Sequence, residues 1–185
     1  MLRSPGMHVD LQDNVNGNKT RRFIPKKYYS GIENSKEQKT QINSLKKSIL
    51  SYKRGIYVDR PKLKTYKNKK SNYITQFNDA YGVSITNKSA VQRVTGVSKK
   101  AQERILKKGK GAYYSSGSRP TQTSYSWAYA RLASVIMGGK AKKVDQHILD
   151  EEKIKIKPPV RSKKSRKITK KHKIYLQSPK KPKSV

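Results

Sequence analysis

The stretch Gly109–Gly139, GKGAYYSSGSRPTQTSYSWAYARLASVIMGG, limits most what this chain can fold into. Most of the remaining sequence is rich in lysine. Here glycines, a Ser-Gly-Ser turn and an Arg119-Pro120 step run into an alanine-rich segment with the only tryptophan. Trp127, Leu132 and Ile136, with Ala130 and Val135, are expected to form the hub of a small core. Ala128, Ala130 and Ala133 leave room for close helix contact. Arg131 belongs to the same hub, and a charge in an apolar setting needs a partner. Asp145 and a backbone carbonyl are the candidates.

Composition bounds how large that core can be. Lys and Arg number 45 against 11 Asp and Glu, a formal net charge of +34 over 185 residues, and hydrophobic residues make up 32%. One modest domain is what such a chain supports. The charge repels itself, so the fold is expected to be most stable beside a polyanion or an acidic protein surface. The excess is spread along the chain: residues 21–70 hold 16 basic against 3 acidic residues, and residues 151–185 hold 14 against 2. Cysteine is absent, which excludes disulfides and thiolate metal sites and fits a reducing compartment. The opening MLRSPGMHVD has no apolar run, so no secretory signal is expected. No window approaches the roughly 18 apolar residues of a membrane span. A soluble intracellular protein is the expectation.

Periodicity predicts a mainly α fold. About five or six short helices make a small basic domain over residues 21–150, with a flexible arm over 1–20 and a basic Lys/Pro-rich tail over 151–185. The first helix spans Ser35 to about Tyr52, with capping-box spacing at Ser35 and Gln38 and an apolar face of Ile42, Leu45 and Ile49. Ile56-Tyr57-Val58 reads as a short strand, followed by an extended basic segment to Lys70. Further helices are expected over Ser71–Tyr81, ended by Gly82, and over Asn87–Thr95, capped by Asn87. A fourth covers Ser98–Lys108, capped by Ser98 and ended by Gly109. A fifth, capped by Thr123 or Ser124, runs through Met137. A sixth spans Lys140–Leu149 with Val144 and Ile148 inward. The tail beyond Pro158-Pro159 has no core and is expected to order only along a partner.

Several stretches invite a binding role. Val91–Lys108 resembles a helix-hairpin-helix, whose turn can offer backbone N–H groups to one phosphate, although Ser98 stands where a second glycine is usual and a helical corner of a small core is the plainer reading. The glycines of Gly109–Pro120 permit a phosphate-cradling loop, but the Gly-Lys-Ser/Thr spacing of a Walker loop is missing. A tightly turned connection, with Arg119 bridging carbonyl groups, is the plainer reading. Polyanion or partner contact is assigned to Lys107, Lys108 and Lys110, expected at the negative end of the fourth helix, and to Arg119. In the tail it is assigned to Arg161, Lys163, Lys164, Arg166, Lys167, Lys170 and Lys171, whose clusters look like nuclear-import or nucleic-acid patches. Tyr113, Tyr114, Tyr125 and Tyr129 carry rings that stack on bases or pack at subunit contacts. Catalysis has little to stand on. His8, His147 and His172 are scattered, and no His/Asp/Glu cluster has metal spacing. Asp145 and His147, at i and i+2, cannot share a helix face. No enzymatic activity and no cofactor are expected.

Three runs carry a family resemblance: Gly109-Lys-Gly-Ala-Tyr-Tyr-Ser-Ser-Gly-Ser-Arg-Pro, Ser126-Trp-Ala-Tyr-Ala-Arg-Leu-Ala-Ser, and Gly138-Gly-Lys-Ala-Lys-Lys-Val-Asp. With Arg22-Phe-Ile-Pro-Lys and Tyr66-Lys-Asn-Lys-Lys-Ser upstream, the chain from about Arg21 to Leu149 resembles an uncharacterised domain family of large DNA viruses (nucleocytoplasmic large DNA viruses) and some phages. The resemblance implies a viral origin and brings no activity and no catalytic residues. The expected function is that of a structural virion protein, an internal minor capsid or cement protein of a large icosahedral DNA virus. Its partners would be major and minor capsid proteins, with viral DNA as a further partner. Its location would be the virion, and the host cytoplasm or nucleus during assembly. The alternative is a DNA-binding, genome-packaging or chromatin-like protein with little sequence specificity, whose affinity would fall steeply with salt.

Overall fold

The computed structural model describes residues 10–15, 18–68 and 70–159, with side chains for 24–68 and 70–159. The fold is mainly α. Among the described residues six helices follow one another: α1 (Ser35–Tyr52), α2 (Asn72–Tyr81), α3 (Lys88–Thr95), α4 (Lys99–Ser116), α5 (Ser124–Ile136) and α6 (Lys140–Glu151). Ahead of them, within and just beyond the stretch read as an N-terminal arm, β1 (Asp10–Val15) pairs antiparallel with β2 (Asn18–Phe23), from Asp10 opposite Phe23 to Val15 opposite Asn18. One turn of 3-10 helix, Lys26–Tyr28, leads to α1.

Local chemistry sets the helix starts. Asn87 caps α3 by accepting from the Ala90 N–H at 3.0 Å, and Ser98 caps α4 by accepting from Ala101 at 3.0 Å. Thr123 and Ser126 form a reciprocal capping box on α5. On α1 the cap is Asn34 rather than Ser35: its side chain accepts from Lys36 and Glu37. The buried face of α1 is also rotated from the expected one. Gln41, Leu45, Ser48 and Ile49 are buried, while Ile42 is only partly so. The two polar members bond backbone: Gln41 Nε2 donates to the carbonyls of Tyr28 and Ser118, each at 3.2 Å, and Ser48 Oγ donates to that of Tyr114 at 3.2 Å. Ile56-Tyr57-Val58 is irregular, not a strand. The basic segment after it is pinned by buried Leu63 and by Glu37, whose carboxylate accepts from the Lys64 N–H at 2.9 Å.

The largest departure lies in α4. It does not stop at Gly109 but runs on through Gly111 to Ser116, where Gly117 follows with a positive φ of 96°. Residues 109–116 are therefore helix and form no phosphate-cradling loop. Gly109 serves by having no side chain. A methyl group there would stand 2.6 Å from the Cα of Ala128 on α5, so the two helices touch backbone to backbone.

Two apolar clusters result. One gathers Phe77, Ile85, Val91, Ile105, Leu132 and Ile148, among others, from α2 to α6. The other gathers Ile24, Tyr28, Leu45, Ile49 and Leu63 around α1. Within the expected hub, Leu132 and Ile136 are buried in the first cluster, but Trp127, one turn into α5, packs partly exposed on the second, edge-on to Tyr28 at 6.0 Å. On α6 the inward residues are Asp145, Ile148 and Leu149, and Val144 is 60% exposed. A fully buried Leu, Ile or Phe contributes about 1.5–3 kcal/mol. Exposed ion pairs such as Lys88–Glu103, at 3.0 Å, contribute roughly 0.2–1 kcal/mol. The core, not surface pairing, holds the fold.

Gly109→Ala is expected to destabilise the protein by about 2 kcal/mol, because overpacking against backbone outweighs the gain of roughly 1 kcal/mol in helix propensity. Gly111→Ala is the control. Its methyl group would meet only the Tyr52 hydroxyl, at 3.2 Å, the far end of a side chain rather than backbone, so it should cost clearly less than Gly109→Ala. Thermal unfolding of both variants checks the pair, and equal behaviour would contradict the close contact.

Candidate functional site

The extension of α4 builds a groove. Lys107, Lys110, Gly111 and Tyr114 stand at i, i+3, i+4 and i+7 and so share one helix face. Against that face lie Tyr52 at the end of α1, Tyr57 from the segment after it, and Ser124 and Tyr125 at the start of α5. Together they enclose a cavity of about 370 Å³. Tyr52 and Tyr114 are nearly parallel, 10° apart with centroids at 6.4 Å. Tyr57 stands edge-on to both, at 6.0 and 5.0 Å. Lys110 Nζ sits 3.7 Å over the Tyr125 ring, a cation–π contact. Tyr57 is 65% exposed and Tyr125 60%.

The wall is held from behind. Arg60 is buried; its N–H donates to Tyr113 Oη at 3.0 Å, and its guanidinium donates to the carbonyls of Tyr113 at 2.7 Å and Val58 at 3.2 Å. The guanidinium also lies 4.6 Å over the Tyr113 ring. Tyr113, fully buried, donates its hydroxyl to the Gln122 carbonyl at 2.9 Å, and Tyr114 donates to Asp59 Oδ1 at 3.1 Å. These bonds tie residues 58–60, and with them Tyr57, to α4 and the α4–α5 connection. Burial raises the phenol pKa of both Tyr113 and Tyr114, so both stay neutral at physiological pH.

The four described basic candidates separate. Lys107 and Lys110 face the groove. Arg119 is exposed on the α4–α5 connection. Lys108 turns the other way, 3.2 Å from Asp145 Oδ1 and 3.3 Å from His147 Nε2. None of the three lysines is at the helix end, because α4 continues to Ser116. Of the two partners expected for Arg131, it takes Asp145, donating through Nε at 2.6 Å and Nη2 at 2.8 Å. Arg161, Lys163, Lys164, Arg166, Lys167, Lys170 and Lys171 lie outside the described residues.

The turn between α3 and α4 is covered. The Lys157 N–H donates to the Thr95 carbonyl at 2.9 Å, and the Tyr81 hydroxyl donates to the Lys157 carbonyl at 2.8 Å. Ser98 Oγ donates to the Glu152 carboxylate beside the start of α4. Residues of the segment that follows α6, Glu152 and Lys157, thus lie at the turn that a helix-hairpin-helix would offer to a phosphate. Among the described residues no group of three His, Cys, Asp or Glu could hold a metal ion, and no helix is long and apolar enough to cross a membrane.

Tyr52 and Tyr57 were not among the sequence candidates. The face shared by Lys107, Lys110, Gly111 and Tyr114 was the available signal, and it is legible only if the helix passes through both glycines.

The model of a family of unknown function, DUF5824, matches residues 25–155. No curated protein and no solved structure matches the chain.

Buried Asp145 yields a pH test. Burial raises its pKa, but the hydrogen bonds and charges of Arg131 and Lys108 outweigh this and hold the carboxyl below its ordinary value. A lowered folded pKa stabilises the fold above the unfolded value, near ~3.9, and that contribution is lost as pH falls through the folded value. Asp145→Asn should cost about 3 kcal/mol at pH 7, the scale of a broken buried pair, and should lose part of the native chain's acid sensitivity below about pH 4. Denaturant unfolding across pH checks this, and equal stability at pH 7 would contradict it.

Proposed function

The chain belongs to the family of unknown function DUF5824, and we propose that it is a non-catalytic structural component of a virus particle that lies against polyanionic or acidic surfaces. The carrying observation is the spread of its charge. Exposed basic side chains occur on α1 (Lys39, Lys47), on the following segment (Lys62, Lys64), on α4 (Lys99, Lys107), on α6 (Lys140, Lys143) and after it (Lys153, Lys155). A protein that reads one duplex gathers its cations on one face. A cement protein, touching several neighbours at once, uses them all round. The viral setting rests on the resemblance of the Gly109–Pro120, Ser126–Ser134 and Gly138–Asp145 runs.

A second reading, contact with the genome, is favoured by one feature: Lys107 and Lys110 converge with four tyrosine rings in the α4 groove.

Graded salt and nuclease extraction of purified particles of the encoding virus, followed by mass spectrometry, separates the two. Retention with the emptied shell is the expected result. Release together with the DNA would replace the cement reading by genome packaging, and absence from purified particles would overturn both.

A further inference from the structure

We infer that the groove formed by Tyr52, Tyr57, Tyr114 and Tyr125 is a binding site for unpaired bases of single-stranded nucleic acid, with Lys107 and Lys110 meeting the adjoining phosphates. The inference rests on the proposed contact with polyanions and adds to it a particular ligand and place.

Among the described residues, four large apolar side chains are exposed: Ile56, Tyr57, Tyr125 and Val144. Tyr57 and Tyr125 are groove walls, and Ile56 adjoins Tyr57 in the chain. A chain with 32% hydrophobic residues leaves aromatic rings in water here while burying Tyr113 completely one residue before Tyr114. The rings are not free to collapse. Arg60 fastens residues 58–60 to Tyr113, and Gly111 leaves the floor open, since a methyl group there would come within 3.2 Å of the Tyr52 hydroxyl. The site is thus preformed, and its volume of about 370 Å³ lies within the usual range of ligand clefts, roughly 300–1,000 Å³.

Its chemistry selects among polyanions. An acidic peptide or a sulfated sugar satisfies lysines but leaves phenol rings idle. Duplex DNA keeps its bases stacked inside. An unpaired strand offers both a phosphate for each lysine and a π-face for each ring. Lys110 Nζ lies over the Tyr125 ring, so a cation and an aromatic ring stand together in the groove. Asp59, the carboxylate next to the groove, accepts the Tyr114 hydroxyl.

The test is fluorescence anisotropy on the full-length protein. Short labelled oligothymidylate and oligouridylate are compared with an abasic strand of equal length, with heparin and with polyglutamate, at salt high enough to weaken the electrostatic contribution of the basic segments. Tyr57→Ala and Tyr125→Ala, both at exposed positions, should each weaken oligonucleotide binding about tenfold and leave heparin and polyglutamate unchanged. Tyr57→Phe, which keeps the ring, should retain binding, and Tyr57→Leu should not. Lys110→Gln should weaken every polyanion. Equal affinity for the abasic strand, or tyrosine effects that extend equally to heparin or polyglutamate, would overturn the groove and leave polyanion contact standing. Failure to bind any of these polyanions would overturn both.

Discussion

The meeting of Gly109 and Ala128 is the contact on which the rest of the structure depends. Two helix backbones approach so closely there that a single added methyl group has no place. Because α4 and α5 meet at this depth, α4 continues in register beyond residue 109 and delivers Tyr113 and Tyr114 to the end of α1. Tyr113 then becomes the buried post around which Arg60 and the Gln122 carbonyl assemble, and Tyr114 becomes a wall of the groove. A helix ending at residue 109 would leave both rings on a loop, with no common face to share with Lys107 and Lys110.

Charge is handled in two ways. Inside, Asp145 is fully buried where α4, α5 and α6 meet, and Lys108 and Arg131 converge on it. One acidic residue thus ties down two cations from different helices. Outside, among the described residues, exposed cations such as Lys39, Lys62 and Lys143 stand on different elements, and an excess of this kind is most stable beside a polyanion or an acidic surface. The groove combines the two arrangements: a rigid frame of buried hydrogen bonds carries lysines and rings that face solvent.

Much of this was legible in the sequence, and the misses have physical causes. Asn87, Ser98 and Thr123 were readable as caps because their side chains accept the first free N–H groups of a helix wherever they stand. Gly109 was misread as a stop because glycine serves both as a left-handed terminator and as a gap for a neighbouring backbone, and one sequence does not separate the two. The inward face of α6 was displaced from Val144 because the apolar pattern has no place for a buried aspartate, which is tolerable only with Arg131 and Lys108 beside it. Trp127 was assigned to the main hub together with the apolar residues that follow it, whereas its position in the first turn of α5 sends it to Tyr28. The groove joins residues 52 and 57 to residues 107–125, a long-range pairing that periodicity does not reveal.

Everything claimed for the groove requires α4 to be helical through Gly109–Ser116. Amide hydrogen exchange over that stretch tests this directly. Slow exchange, comparable with Ala101–Lys108 in the same helix, is the result the account predicts. Fast exchange at the level of the irregular segment that follows α1 would mean a loop, and would remove the face on which Lys107, Lys110 and Tyr114 come together.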